Sequence, residues 1–386
     1  VPRTLAALLV VLVLSGCTTQ AKPEPEGPQR VAWQQVELPM PPGPKGRIAV
    51  RDAVRCQDNW YVVGGVFGAD GESRPAGWRS RDGRAWTSLR FKPRWFWAHR
   101  NVISAVACRD GRVAMVGGKS GGAHGNPRVS TWYPRGDGVF TDVVAAFELY
   151  GGPRAVNVGR IAAGDPGWMV VGNRMTGAAV WTSRDATDFR LVDSDPQLAS
   201  DPTVDTSARD VAYAAGSWTV VGSGLVKGQV AQVPMAWVSP DGAAWKRQQV
   251  PHGKGYSDLQ RITRYRDDVL AAGIDGERFA VWLRDGGRWR RLGGFGGMDA
   301  NGSASAFVSG LTVAGSGVVA AVSDGTGYGL WASPDGGRWR QLSVPVSPTT
   351  GGERTMTAIG SATQLLLLTD NGKSGTAWLA DPIHPR

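Results

Sequence analysis

Three cysteines, four histidines and one long apolar run, residues 5–14, set the first limits on this 386-residue chain. That run falls well short of the ~20 apolar residues that span a bilayer, so no segment reads as a transmembrane helix. His99, His124, His252 and His384 are scattered without a ligand pair at short spacing, which argues against a metal centre. No Gly-x-Gly-x-x-Gly or Walker pattern precedes a helix, and no cofactor is expected. Of 43 basic residues against 33 acidic, only eight are lysine, and no run of five cations occurs. The densest group, Arg284, Arg288, Arg290 and Arg291, is interrupted by Asp285 and glycine, so the net charge of +10 reads as a solvated surface. No nucleic-acid partner is expected. In excess are glycine, at 54 residues about twice the average usage of about 7%, and tryptophan, at 17.

The first residues read as an address. Arg3 supplies a positive start and Leu5 to Leu14 an apolar stretch, giving a signal peptide over 1–16. It ends in Leu14-Ser15-Gly16-Cys17, which resembles the bacterial lipobox; the resemblance implies lipidation of Cys17 and anchoring to the outer side of the cell membrane. Two acyl chains hold a protein stably where one is marginal. Residues 17–30 then form a polar tether rich in Pro, Glu and Gln. Cys56 and Cys108 sit in similar contexts, AVRCQDNWYVVGG and AVACRDGRVAMVGG. An oxidising compartment permits a disulfide between them, and two buried free thiols is the alternative.

Tryptophan is periodic. Trp78, Trp132, Trp181, Trp237, Trp282, Trp331 and Trp378 are spaced by 54, 49, 56, 45, 49 and 47 residues, the period of a propeller blade. Each opens a stretch such as WRSRDGRAW or WASPDGGRW, an apolar strand, a turn and usually an aromatic strand. Upstream lies a second hairpin ending in a Val-rich strand and glycine, WYVVGG at 60 or WTVVG at 218. Two hairpins make a four-stranded antiparallel blade. The expected fold is therefore all-β, a seven-bladed β-propeller over 31–382. The seventh copy lacks its outer strand, and Val31 to Pro39 (VAWQQVELP) resembles the missing piece. The N-terminal strand is expected to complete the last blade and close the ring.

Ser80, Asp82, Gly83 and Trp86, with the matching sets Ser239, Asp241, Gly242, Trp245 and Ser333, Asp335, Gly336, Trp339, resemble the Asp-box of sialidase-like and sortilin-like propellers, one residue short between Asp and Trp. The Val-Val-Gly-Gly strand ends are also similar to kelch blades. The motif reads as architectural, with turn N–H groups held by Asp and Ser oxygens.

Functional residues are expected on the opposite face, in the connections from one blade's outer strand to the next blade's inner strand. Trp95, Phe96, Trp97, His99 and Arg100 lie outside the repeat, so the blade core does not require them; they suit stacking on a sugar or a protein hot spot, or packing on neighbouring loops. Tyr150, Arg154, Tyr256 and Arg354 in other connections complete the candidate binding set. The expected role is a monomeric, non-catalytic binding or assembly module for an envelope protein or glycan. The alternative is a sialidase-like hydrolase or lyase, drawing on Arg51, Asp52, Arg209, Asp210, Asp258, Arg261 and Glu353; but Gly46-Arg47-Ile48-Ala49 stands where that family carries Arg-Ile-Pro, and no catalytic residue is assigned.

Overall fold

The computed structural model describes residues 27–119, 128–298 and 306–381; Cys17, His124 and His384 lie outside them. Seven antiparallel sheets form a ring of blades. The inner strands, in chain order, are Arg47–Cys56, Val102–Arg109, Ala155–Gly164, Val204–Ala214, Ser257–Tyr265, Phe307–Ala314 and Thr355–Gly360. The second strands are almost wholly buried; Gly167–Arg174 has no exposed residue. Blades pack on both faces of these strands, so they read as continuous apolar runs rather than alternating ones. Blade two gains a fifth strand, Arg90–Phe91, running parallel to Val139–Asp142.

The outer strand of the seventh sheet is Gln34–Val36, paired antiparallel with Gly375–Ala380. The chain just before it bonds to blade six: Ser343 N donates to Gln29 O and Gln29 N to Gln341 O, each at 2.8 Å, and the Trp33 indole donates to Ser343 O at 2.8 Å. After it, the chain reaches blade one, where Trp78 donates to Pro39 O at 2.7 Å.

One device recurs in the inner strands. Six of the seven carry a bulge at the same level, whose extra residue is Arg51, Ser104, Arg209, Gln260 or Ser309 in blades one, two, four, five and six, and lies at Gly159–Arg160 in blade three. Opposite five of these bulges stands a glycine: Gly64, Gly117, Gly172, Gly222 and Gly273. A Cβ on Gly64 would sit 1.9 Å from Ala49 O, and one on Gly222 1.9 Å from Ser207 O. The bulge bends the inner strand onto its neighbour, and in these five blades glycine leaves the room. Blade seven has no bulge and places Leu368 there; blade six carries Val322 despite its bulge.

Inner-strand backbone N–H groups are satisfied across the seams by side chains of the adjoining blade. Asp52 accepts from Val106 N (3.1 Å), Asn173 from Ala208 N (2.8 Å), Asp210 from Ile262 N (3.2 Å), Gln260 from Val308 N (2.6 Å) and Thr312 from Gly360 N (2.9 Å). Blades one and two are further joined by a Cys56–Cys108 disulfide, Cα atoms 5.5 Å apart. Blade seven meets blade one through buried Asp370, which binds Arg47 at 2.9 Å and Arg51 at 2.8 Å.

The turns between third and fourth strands are braced as their residues suggest. Ser80 Oγ accepts from Gly83 N (2.9 Å), Asp82 Oδ1 from Arg84 N (2.8 Å) and Ala85 N (2.9 Å), and Trp86 donates to Gly83 O (2.9 Å). The third-strand indoles instead fix the opposite face: Trp181 donates to Leu149 O, Trp237 to Gln197 O and Trp282 to Pro251 O, each an atom of a blade-to-blade connection.

Candidate ligand-binding face

The connection from blade one to blade two is held from below. Buried Asp142 accepts from Arg94 N (2.6 Å) and Trp95 N (3.1 Å). Asn101, also buried, donates to Trp97 O and Arg128 O and accepts from the Trp132 indole. A short 3-10 turn, Ala98–Arg100, lies between these clamps, and Ser73 Oγ donates to Arg100 O at 2.6 Å. Trp95 packs half-buried against the core between blades one and two.

What the clamps present is a ladder of alternating rings and guanidinium groups. Arg100 lies 4.7 Å from the Phe96 ring centroid, Phe96 meets Trp97 edge to face at 5.2 Å, and Arg128 stands 5.9 Å from Trp97 and 4.9 Å from Phe147. Such contacts are each worth about 0.5–1 kcal/mol at exposed sites. Phe96 is 61% exposed and Phe147 47%; Val144 is exposed beside Phe147, and Val156 and Met175 are exposed on blade three. Arg100 binds Glu72 at 2.9 Å, and Lys119 shares that carboxylate at 3.5 Å. Arg128 differs: no carboxylate lies within 4 Å among the described residues, and its Nε is buried without a hydrogen-bond partner. It lines a notch of about 30 Å³ with Trp95, Val144 and Phe147.

The other expected residues do not join this ladder. Tyr150, read from sequence as a surface residue, is 6% exposed; it packs on Trp181 and bonds Thr131 Oγ1 at 3.3 Å, and burial pushes its phenol well up. It is a core residue, because the helical turn Phe147–Tyr150 aims it inward while Phe147 points out. Exposed Arg154 flanks the patch, its carbonyl accepting from Met175 N at 2.9 Å. His99 is exposed on the 3-10 turn. Arg354 turns back on Thr350 O in the connection before blade seven. Tyr256 lies at the start of blade five, where its hydroxyl donates to Asp258 at 3.0 Å; burial and then the Asp258 charge push it up to about 12.

The acids and arginines that would serve catalysis fall into separate groups. Asp52, Arg160, Asp210 and Arg261 line an axial cavity of about 190 Å³. Arg160 binds Asp52 at 3.1 Å and approaches Asp210 at 3.9 Å, and both carboxylates also hold backbone N–H groups, so their oxygens serve the ring. Burial raises Asp210 and brings Arg261 down to about 10, with Arg160 adding to the latter. Arg51 binds Glu353 and Asp370 at the junction of blades seven and one. Asp258, raised by burial, pairs with Tyr256 and Gln260.

Sequence reasoning missed Arg128, Phe147, Val144 and Met175. Phe147 had a signal, an aromatic in a connection with no place in the repeat; Arg128 had none, since it opens a third strand like any blade arginine.

No protein-family model matches the chain, and no curated protein matches it by sequence. Solved structures do. The acylaminoacyl peptidase of Pyrococcus horikoshii aligns at TM-score 0.51 and 9% identity over 87% of this chain and 51% of its own. The β-propeller domain of the Trilobed protease from Pyrococcus furiosus aligns at 0.50 and 9%, over 86% of this chain and 95% of its own. The extracellular domain of a one-component system from B. thetaiotaomicron gives 0.50 and 9%, over 90% and 40%. The chain thus spans about half the peptidase and less of the third. At such identity the likeness shows the fold, a β-propeller.

Proposed function

We propose that this protein is a binding module, a rigid ring that displays one aromatic and arginine-rich surface on the face opposite its braced turns, held at the outer side of a bacterial membrane by lipid on Cys17. The observation that carries the reading is the ladder Arg100, Phe96, Trp97, Arg128 and Phe147. Exposed aromatics beside arginine on a preorganised scaffold are the composition of interface hot spots. The ladder owes nothing to the blade repeat, whereas the channel acids and arginines are engaged in joining blades. The lipobox-like Leu14 to Cys17 and the polar tether support the location.

The test uses the full chain in its membrane, with chemical cross-linking and an envelope-glycan array as readouts. The Phe96→Ala/Phe147→Ala variant is expected to fold with an unchanged melting temperature and to lose at least tenfold in yield of the wild-type cross-link or glycan signal; Cys17→Ser is expected to leave the membrane fraction. An identical ligand spectrum in wild type and the double variant overturns the assignment of the face.

A further inference from the structure

Resting on that reading, we infer that Arg128 anchors a carboxylate of the ligand and that the ligand is an acidic, apolar protein segment. Arg128 lies near both Trp97 and Phe147, its Cζ 5.9 and 4.9 Å from the ring centroids. Its Nε is buried and without a hydrogen bond, and no described carboxylate lies within 4 Å. The Nε side of this guanidinium has left water without gaining a counter-charge, and its planar donors are matched by a carboxylate. The surrounding charge agrees. Arg154 and Lys92 are exposed and without an ion pair, and Glu72 is shared by Arg100 and Lys119. The exception is Glu148, exposed and unpaired on the helical turn that carries Phe147.

A protein segment is favoured over an acidic polysaccharide by what accompanies the rings. Sugar hydroxyls call for amide or carboxylate groups beside the stacking face. Asn101 and Asp142 are buried and committed to the Trp97, Arg128, Arg94 and Trp95 backbone and to the Trp132 indole, and Glu72 is held by Arg100 and Lys119, which leaves Glu148 as the one uncommitted carboxylate beside the rings among the described residues. Val144 lines the notch beside Arg128 and Phe147, and Val156 and Met175, the last 74% exposed, lie on blade three; their side chains offer no polar group to a sugar and suit apolar partners.

The experiment labels the full chain with 5-fluorotryptophan and follows the fluorine signal of Trp97, assigned by Trp97→Phe, on titration with three probes. These are acetyl-Leu-Glu-Phe-Glu-Leu-amide, its Gln-for-Glu analogue, and trigalacturonate. The Glu peptide is expected to give a saturable shift, at least fivefold tighter than the Gln peptide and weakening as salt rises. Arg128→Gln is expected to remove that preference. Arg128→Lys, which keeps the charge but not the planar fork, is expected to retain part of it. The remaining tryptophan signals report whether each variant is folded. Equal binding of the two peptides, no saturable shift by the Glu peptide at millimolar concentration, or unaltered preference in folded Arg128→Gln overturns the anchor. Tighter binding of trigalacturonate than of the Glu peptide overturns the protein assignment. The two readings fail separately: if Phe96→Ala/Phe147→Ala loses the native ligand and Arg128→Gln does not, the face stands and the carboxylate anchor falls.

Discussion

Single residues carry geometry here that their chemical type conceals. Gly64, Gly117, Gly172, Gly222 and Gly273 share a backbone level rather than a turn, and each stands against the carbonyl side of a bulged strand. Gly64→Ala is therefore expected to cost about 3 kcal/mol through overpacking, since the atom in the way is backbone and cannot swing aside. Gly297→Ala, where a Cβ meets nothing within 4 Å, is expected to stay within about 0.5 kcal/mol of wild type. Urea unfolding midpoints compare the two. The Val-Val-Gly-Gly motif was visible in the sequence, but its cause was not: the bulge is a register shift between two strands, and residue order alone does not record it. Arg128 and Tyr150 show the same limit at the candidate site. One was unremarked and proves half-exposed beside rings; the other was expected outside and proves buried. Both outcomes depend on how the short Phe147–Tyr150 turn is rotated, which one helical turn without periodicity leaves open in sequence.

At the scale of the element, the braced turn shows how acids stabilise this fold. Backbone N–H groups of Ala85 and Arg84, with the Ser80 hydroxyl, hold Asp82 down to about 2. Ala243 N acts first on Asp241 and Arg338 N first on Asp335, each lowering the carboxyl below its ordinary value. A carboxyl whose folded pKa lies below its unfolded value of about 3.9 adds stability that is fully present above that value and is lost as pH falls through the folded one. Melting temperature is thus expected to fall between about pH 4 and 2. In the Asp82→Asn/Asp241→Asn/Asp335→Asn variant, which keeps the acceptor oxygen but cannot titrate, that decline should be shallower. Equal slopes in thermal melts from pH 5 to 2 would count against the turns as its source. This element was legible in advance because Ser, Asp and Gly act within a few residues of each other; the third-strand tryptophans were legible as a repeat, while their bonds to distant loop carbonyls were not.

For the molecule as a whole, the junction between blades seven and one joins an apolar core to a buried ion cluster. There Leu366, Leu368 and Leu379 pack with Val50, Trp60 and Val62, and Asp370 lies fully buried under Arg47 and Arg51. Asp370→Ala leaves Arg47 without its carboxylate and Arg51 with only exposed Glu353, and is expected to cost at least about 3 kcal/mol in denaturant unfolding. Asp205→Ala, which breaks the exposed Lys227 pair, should cost under about 0.5 kcal/mol. Seven blades were readable from tryptophan spacing because each blade is a local unit. The charges at this seam were not, because Arg47 and Asp370 are brought together only by the completed circle.

The placement of Gln34–Val36 beside Gly375–Ala380 also sets a clock. During synthesis the first strand emerges early, yet the segment it pairs with comes about 340 residues later, roughly 20–70 s at ordinary elongation rates. Through that interval blade seven does not exist, and the early strand is an unsatisfied edge that must be kept from other partners. The ring therefore closes only once Gly375–Ala380 is present, and a chain cut short before that strand would leave Gln34–Val36 without its partner rather than form a weaker circle.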